Sequence, residues 1–179
     1  MTASKTATAG GLAQTTSPII DLQRATMLTI GNQIDRPANS VTTGFNVPLT
    51  YVAETDPSEG SALAKHITKP VTLASGATGI KVIFAGHRPS TSHFDVYFRT
   101  VVSGNDSDIL EKSFVQATVD AQMPNDKTET EFHEYQYTIG GDFASTLQEF
   151  DRYQIKIAMY STSTSDIPRI RDLRTIALN

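Results

Sequence analysis

Hydrophobic and polar positions alternate along most of the chain between residues 65 and 178. The segment 93–102 shows this most clearly, because every second residue is apolar or threonine: Phe94, Val96, Phe98, Thr100 and Val102. Successive side chains of a β-strand point to opposite faces. We therefore predict a strand with one face in the core and the other face, which carries Asp95, Tyr97 and Arg99, in contact with solvent.

Five further segments alternate in the same way and are predicted to be strands: 66–73, 80–84, 115–119, 131–139 and 153–160. Pro70 cannot donate a hydrogen bond to a neighbouring strand, so the first segment is predicted at a sheet edge or a bulge. The segment 80–84 is predicted to be central.

In the last segment, 168–178, the apolar residues break strict alternation. This pattern fits a bulged strand or a short helix, and we favour the strand.

The first sixty residues are polar apart from one apolar segment. Pro18 favours an extended entry to it, and the mixed spacing of its apolar residues favours a strand or ribbon over a helix. We predict that this segment binds a partner through Pro18, Ile19, Ile20, Leu22, Met27, Leu28 and Ile30. Two alternatives stay open: it is an edge strand of the same domain, or it pairs with another subunit.

These patterns predict an extended arm and loop over residues 1–60 and a globular domain over residues 61–179. A long loop inside a compact domain is unusual, so residues 31–60 fit better as chain laid over a surface. About seven or eight strands at regular spacing, without an amphipathic helix, predict an all-β fold. We expect an antiparallel β-sandwich of jelly-roll type with an extended N-terminal arm.

Composition narrows the classes of partner. The 179 residues carry a net charge of −4, and neither region has the basic surface that nucleic acids attract, so we expect no nucleic-acid partner. No stretch approaches the roughly 18 consecutive apolar residues of a membrane span, so we expect no membrane insertion. The absence of cysteine excludes disulfides and thiolate metal sites.

The sequence contains no recognisable catalytic constellation. Its four histidines lack metal-ligand spacing, and Asp106, Asp108 and Glu111 resemble only a fragment of a calcium loop. Neither a nucleophile motif nor a phosphate-binding glycine loop occurs. We therefore predict no catalytic, metal-binding or cofactor-binding residue, no cofactor and no enzymatic activity.

Tyrosines are the side chains best suited to a binding role. Four tyrosines on predicted strands are candidates: Tyr97, Tyr135, Tyr137 and Tyr160. Aromatic rings on an outward face can stack on a sugar or on a protein neighbour. A carbohydrate-binding or host-receptor-binding sandwich, with a surface glycan as its partner, is therefore an alternative function. Packing beneath a loop or the arm also explains tyrosines in a chain without tryptophan.

Six segments follow one another along the chain: Ser17-Pro-Ile-Ile-Asp-Leu-Gln-Arg24, Gly31-Asn-Gln-Ile-Asp35, Ala64-Lys-His-Ile-Thr-Lys-Pro-Val-Thr-Leu73, Phe94-Asp-Val-Tyr-Phe-Arg99, Phe150-Asp-Arg-Tyr-Gln-Ile-Lys-Ile157 and Ile167-Pro-Arg-Ile-Arg-Asp-Leu-Arg-Thr-Ile-Ala177. Taken together, they resemble virion structural proteins of contractile-tailed phages, notably phages that infect cyanobacteria. The resemblance runs over most of the chain past residue 15, and the order of the segments carries it.

The resemblance implies a non-enzymatic component of a phage tail or baseplate, because such segments occur there in baseplate, tail and fibre-associated proteins. It implies a virion location after assembly in the host cytoplasm. The expected partners are other tail or baseplate proteins and further copies of this chain. The chain is short and lacks shaft-like repeats, which favours a baseplate, neck or connector piece over a receptor-binding fibre.

Overall fold

A computed structural model describes residues 52–179, except residues 59, 63, 142–146 and 164, together with the backbone of four strands nearer the N-terminus. Those four strands are β1 (Ala7–Ala9), β2 (Leu12–Gln14), β3 (Thr16–Asp21) and β4 (Thr26–Gly31). β1 pairs with β2 and β3 pairs with β4, both antiparallel. The side chains of the predicted arm contacts, Pro18 to Ile30, lie outside the described residues, so their role stays a prediction.

Eight strands follow: β5 (Ala64–Ile67), β6 (Val71–Ala77), β7 (Gly79–His87), β8 (Ser92–Val102), β9 (Val115–Gln116), β10 (His133–Gly140), β11 (Phe150–Ser161) and β12 (Arg169–Leu178). They form two antiparallel sheets. One has the order β10-β7-β12; in the other, β11 lies between β8 and the pair β5 and β6, and β9 lies outside β8. A short 3₁₀ helix, Ile109–Glu111, precedes β9.

The chain passes repeatedly from one sheet to the other. β6 lies in the five-stranded sheet, β7 in the three-stranded sheet and β8 in the five-stranded sheet again, and β10, β11 and β12 alternate likewise. A chain that alternates between two sheets is typical of a jelly roll. Here the two sheets have unequal numbers of strands, five and three. The prediction of an all-β antiparallel fold is confirmed.

Pro70 interrupts the edge of the five-stranded sheet. β5 pairs with the second half of β11 and β6 with its first half, so one predicted strand over 66–73 is in fact two. Thr68 bridges the break, because its N–H donates to the carbonyl of Ile155 at 2.9 Å and its Oγ1 accepts the N–H of Ile155 at 3.1 Å. The predicted edge position is confirmed.

β12 is a bulged strand. Its register against β7 shifts between Arg171 and Arg174, and Asp172 between them has a φ of 56°. The extra residues return Ile170, Leu173 and Ala177 to the core, where all three pack. The strand favoured by the sequence is therefore confirmed, and the helix alternative is wrong.

Aromatic rings form the centre of the core between the two sheets. The ring of Phe84 on β7 lies edge-on to Phe94 on β8, with centroids 5.5 Å apart. It stacks on Tyr135 and Tyr137 of β10 at 5.4 and 5.9 Å. Strands of both sheets thus contribute alternate residues to one buried cluster, as the period of two predicts.

The outer face of the five-stranded sheet differs from the prediction. We expected Tyr97 and Arg99 to face solvent, but they are only 6% and 4% exposed. Segments before β5 and after β8 cover them, and a second buried cluster forms there from Ala62, Tyr97, Phe114, Ala158 and Tyr160. The expectation of a solvated face is therefore wrong, because polar residues of this face are buried beneath distant parts of the chain.

One lateral side of the sandwich is closed by the chain itself. After β9, the N–H of Ala117 donates to Val96 on β8, and the N–H of Asp120 donates to Gln136 on β10, each at 2.8 Å. The Asp120 carboxylate also accepts the N–H and the hydroxyl of Thr138. The segment 115–120 thus bridges both sheets, and only its first two residues form the predicted strand.

Candidate functional site

The segment before β5 folds against the outer face of the five-stranded sheet. We call its residues 52–58 and 60–62 the arm root, because the predicted N-terminal arm ends in this part of the sequence. The N–H of Ser61 donates to the carbonyl of Val52 at 3.0 Å, and its hydroxyl accepts the N–H of Val52 at 2.6 Å. These bonds close the arm root into a loop. We predicted a domain boundary at residue 61, which assigns most of the arm root to the arm. In the structure, however, Glu54 of the arm root is buried on the sheet.

A buried ion pair holds the arm root to β11. Lys156 is 0% exposed and Glu54 is 4% exposed. The ammonium of Lys156 lies 3.2 Å from Oε2 of Glu54 and also donates to its backbone carbonyl. Oε1 of Glu54 accepts the N–H of Ala62 at 2.5 Å, and the ammonium of Lys65 lies 3.8 Å from Oε2. Burial lowers the pKa of Lys156, and the Glu54 carboxylate opposes that shift.

Arg99 ties the arm root to two other parts of the chain. Its Nη1 donates to the carbonyls of Pro57, Leu110 and Lys112, each at 3.0 Å. Its Nε and Nη2 donate to Oε1 of Gln154 on β11, at 2.8 and 2.6 Å. Burial lowers the pKa of Arg99, although Asp108 works in the opposite direction. One guanidinium therefore joins the arm root, the 3₁₀ helix and two strands.

Phe114 lies between the two buried cations. The guanidinium of Arg99 and the ammonium of Lys156 each lie 4.3 Å from the centre of its ring. Attraction between a cation and the face of an aromatic ring is stronger away from water. The backbone N–H of Phe114 donates to the carbonyl of Thr55 at 2.9 Å, so this residue also binds the arm root. The whole arrangement holds the arm root on the outer face of the five-stranded sheet.

A second buried polar group lies at the end of β7. The Asp126 carboxylate accepts the N–H of Arg88 at 2.5 Å, lies 3.8 Å from Nδ1 of His87 and contacts Nδ1 of His133. Nδ1 of His87 donates to the carbonyl of Glu131 at 2.9 Å. Asp126 and His87 also line a polar cleft of about 470 Å³. Their partners belong to the protein, so we assign them to holding the loop before β10.

The other lateral side of the sandwich is open. A groove of about 440 Å³ lies between β11 and β12, lined by apolar side chains that include Ile157, Met159, Ile170 and Leu173. Within the part of the chain from residue 52 onward that the structure describes, β5 pairs with β11 alone and β12 with β7 alone. Each of these two strands therefore presents one unpaired edge at this side.

The four tyrosines proposed for ligand contact do not form an exposed surface. All are between 3% and 6% exposed: Tyr97, Tyr135, Tyr137 and Tyr160. Tyr135 and Tyr137 point into the core, and the other two belong to the buried cluster on the outer face. Burial raises the pKa of Tyr135, Tyr137 and Tyr160. The premise of outward rings is wrong, because two of the rings pack in the core between the sheets and the other two pack in the buried cluster on the outer face.

Sequence reasoning missed Glu54 and Lys156. Glu54 begins a run with the composition of an ordinary turn, and Lys156 alternates with isoleucines like a solvent-facing strand residue. A weak signal was present, since Lys156 lies between two apolar residues on a strand with tyrosine and alanine on the same face. Nothing in the sequence connects two residues that lie 102 positions apart.

Among the described residues, no group of three or more histidine, aspartate or glutamate side chains is placed to hold a metal ion. No helix in that part of the chain is long and apolar enough to cross a membrane.

Comparison with known proteins gives no relative: no family model, no curated protein and no solved structure matches this chain.

Proposed function

We propose that this chain is a non-enzymatic virion structural protein, a tail or baseplate component that its N-terminal arm anchors to neighbouring subunits. The observation that carries the proposal is the arm root. An arm that attaches one subunit to another must transmit force to the folded domain. Here its last residues are held on the sheet by the buried pair of Glu54 and Lys156 and by the guanidinium of Arg99.

The sequence of the arm supplies the groups that attachment requires. Its apolar segment carries six large apolar residues: Ile19, Ile20, Leu22, Met27, Leu28 and Ile30. Burying a large apolar side chain contributes about 1.5–3 kcal/mol, which offsets much of the cost of ordering the backbone. A segment that gains this burial only on docking couples its folding to assembly.

The proposed partners are other tail or baseplate proteins and further copies of this chain. The ordered segments that resemble virion proteins of contractile-tailed phages support this choice. The proposed location is the virion, after assembly in the host cytoplasm. A glycan-binding role has no observation in its favour, since the tyrosines that motivated it are buried.

The test compares particle incorporation of the full chain with that of a version lacking residues 1–35, which keeps the arm root and the sandwich. Purified particles are examined by mass spectrometry and immuno-electron microscopy. We expect the full chain at the tail and the truncated chain absent from particles. Absence of both, or equal incorporation of both, contradicts the proposal.

A pair of substitutions separates loss of the apolar contact from loss of length. Leu28→Asp places a charge in the apolar segment, whereas Val41→Asp makes the same kind of change outside it. We expect Leu28→Asp to be lost from particles and Val41→Asp to be retained. Circular dichroism of both purified chains should match the parent, since both positions precede the arm root in the sequence.

A further inference from the structure

We propose that the Lys156 side chain and the Glu54 side chain condense to an amide, which cross-links the arm root covalently to β11. This inference concerns the sandwich alone and holds whatever the partner of the arm is. It starts from the pair itself, in which a fully buried amine and a buried carboxylate lie 3.2 Å apart, nitrogen to oxygen.

Burial of Lys156 lowers the cost of forming its neutral amine, which is the nucleophilic form, because the side chain has no exposed surface. The Glu54 carboxylate and the rings of Phe114 and Tyr97, whose centres lie 4.3 and 5.4 Å from the nitrogen, act in the opposite direction. A lysine desolvated in an apolar site is an established route to an activated amine. The guanidinium of Arg99, which also lies 4.3 Å from the centre of the Phe114 ring, adds a like charge that lowers the pKa of Lys156 further.

The surroundings of Glu54 favour attack by the Lys156 amine on its carboxyl carbon. Its Oε1 accepts the backbone N–H of Ala62 at 2.5 Å. Negative charge develops on this oxygen when an amine adds to the carboxyl carbon, and the N–H stabilises that charge. Its Oε2 is buried and accepts no well-directed hydrogen bond. The ammonium of Lys65 lies 3.8 Å from this oxygen and is partly open to water, so it can supply a proton to the departing oxygen.

The reaction balances without any further reactant. Lys156 passes one proton to Oε2 of Glu54, which gives an amine and a carboxylic acid. The amine nitrogen then forms a bond to Cδ, and the charge on Oε1 is held by the N–H of Ala62. The bond from Cδ to Oε2 breaks after a second proton moves from the nitrogen to that oxygen, directly or through Lys65. An ammonium and a carboxylate thus become one amide and one water molecule.

Burial favours the conversion of this ion pair into an amide. An ion pair removed from water keeps a large desolvation penalty, whereas an amide is neutral and needs only hydrogen bonds. The fold also holds the two groups together, which replaces a bimolecular encounter by a step within one molecule. The amide would close a loop of 102 residues in a chain that has no cysteine. Its effect resembles that of a disulfide but does not depend on redox conditions.

The experiment is intact-mass spectrometry of the folded full chain, measured under denaturing conditions on fresh protein and again after prolonged incubation. We expect a mass lower than that of the sequence by one water molecule. Proteolysis should yield a branched fragment that contains both Glu54 and Lys156. A folded chain with the full mass at both times, or a lost water located elsewhere, overturns the proposal.

Two matched substitutions show which lysine reacts. Lys156→Arg keeps the positive charge but replaces the amine by a guanidinium, so the full mass should return. Lys81→Arg changes a partly exposed lysine that pairs with Asp120, and it should keep the lower mass. A lower mass that persists in Lys156→Arg counts against the amide. The parent chain alone decides the question if Lys156→Arg does not fold.

Discussion

Replacement of Arg99 by methionine tests whether the outer face of the five-stranded sheet is a buried layer. Methionine fills part of the same space but has no donors. Four acceptors then lose their partner: the carbonyls of Pro57, Leu110 and Lys112, and Oε1 of Gln154. If the outer face of the sheet were solvated, Arg99→Met would have almost no effect on the free energy of unfolding. A buried outer face and a solvated one therefore predict different stabilities for this variant.

The size of the effect follows from those four acceptors. A buried acceptor without a partner costs about 1–3 kcal/mol, and we use the lower value because Pro57, Leu110 and Lys112 are partly or fully exposed residues outside the strands. The sum is about 4 kcal/mol, and burial of the methionine offsets part of it. We expect a loss of about 3 kcal/mol from the free energy of unfolding, which is a large share of a typical domain stability of about 5–15 kcal/mol.

Urea unfolding followed by far-ultraviolet circular dichroism measures this loss, since the chain has no tryptophan. The midpoint should fall by more than about 1 M. Arg174→Met is the matched control, because that guanidinium is exposed and pairs with Glu134 at the surface, at 3.0 Å. It should cost less than about 1 kcal/mol.

A local measurement adds to the global one. Because Pro57 belongs to the arm root, hydrogen exchange over residues 52–62 should become faster in Arg99→Met and stay unchanged in Arg174→Met. If Arg99→Met unfolds within about 1 kcal/mol of the parent and exchange over the arm root does not change, the description of a buried, hydrogen-bonded outer layer is refuted.

Three further predictions follow from single positions. Phe84→Ala removes the central ring of the core, and the free energy of unfolding should fall by about 3–5 kcal/mol; a loss below about 1 kcal/mol in urea unfolding would contradict the packing described. Gly60→Ala should cost about 1–3 kcal/mol, because φ is 127° and the new Cβ would lie 2.4 Å from the Glu54 carboxylate. Gly104→Ala is its control: φ is positive there too, at 76°, but no atom lies within 4 Å, so a cost equal to that of Gly60→Ala would rule out the clash. Burial raises the pKa of Tyr137, so unfolding releases its proton above the ordinary tyrosine pKa of about 10. Its contribution to stability is therefore complete below about pH 10 and is lost as the pH rises further. Tyr137→Phe should flatten that decline in pH-dependent urea unfolding, and an unchanged slope would contradict the assignment.

The inward faces of the strands could be predicted because alternation is local. Val82 and Phe84 on β7 and Ile155 and Ile157 on β11 lie in the core as their spacing indicates. Pro70 also acts locally, since it lacks an N–H in any fold, and it lies at a break in the sheet edge. The irregular spacing of apolar residues after residue 168 is also a local pattern, and it predicted the bulge of β12.

The candidate site could not be predicted in the same way. Glu54 and Lys156 meet only after the chain has crossed between the sheets several times, and neither is marked by its neighbours in sequence. Asp126 and His133 are brought together across a loop that no periodic pattern describes. The role of the apolar arm segment rests on the sequence, because its side chains lie outside the described residues.

The sequence by itself determined the all-β class, the positions of most strands and the face of each strand that enters the core. These properties depend on the two-residue period and on the backbone chemistry of single residues. Only the tertiary structure decided that the opposite face of β8 and β11 is also buried. A polar strand face has the same pattern in water and beneath a loop, and the two differ only in whether distant residues supply partners. For Arg99 those partners come from Pro57, Leu110 and Gln154, and for Lys156 the partner is Glu54.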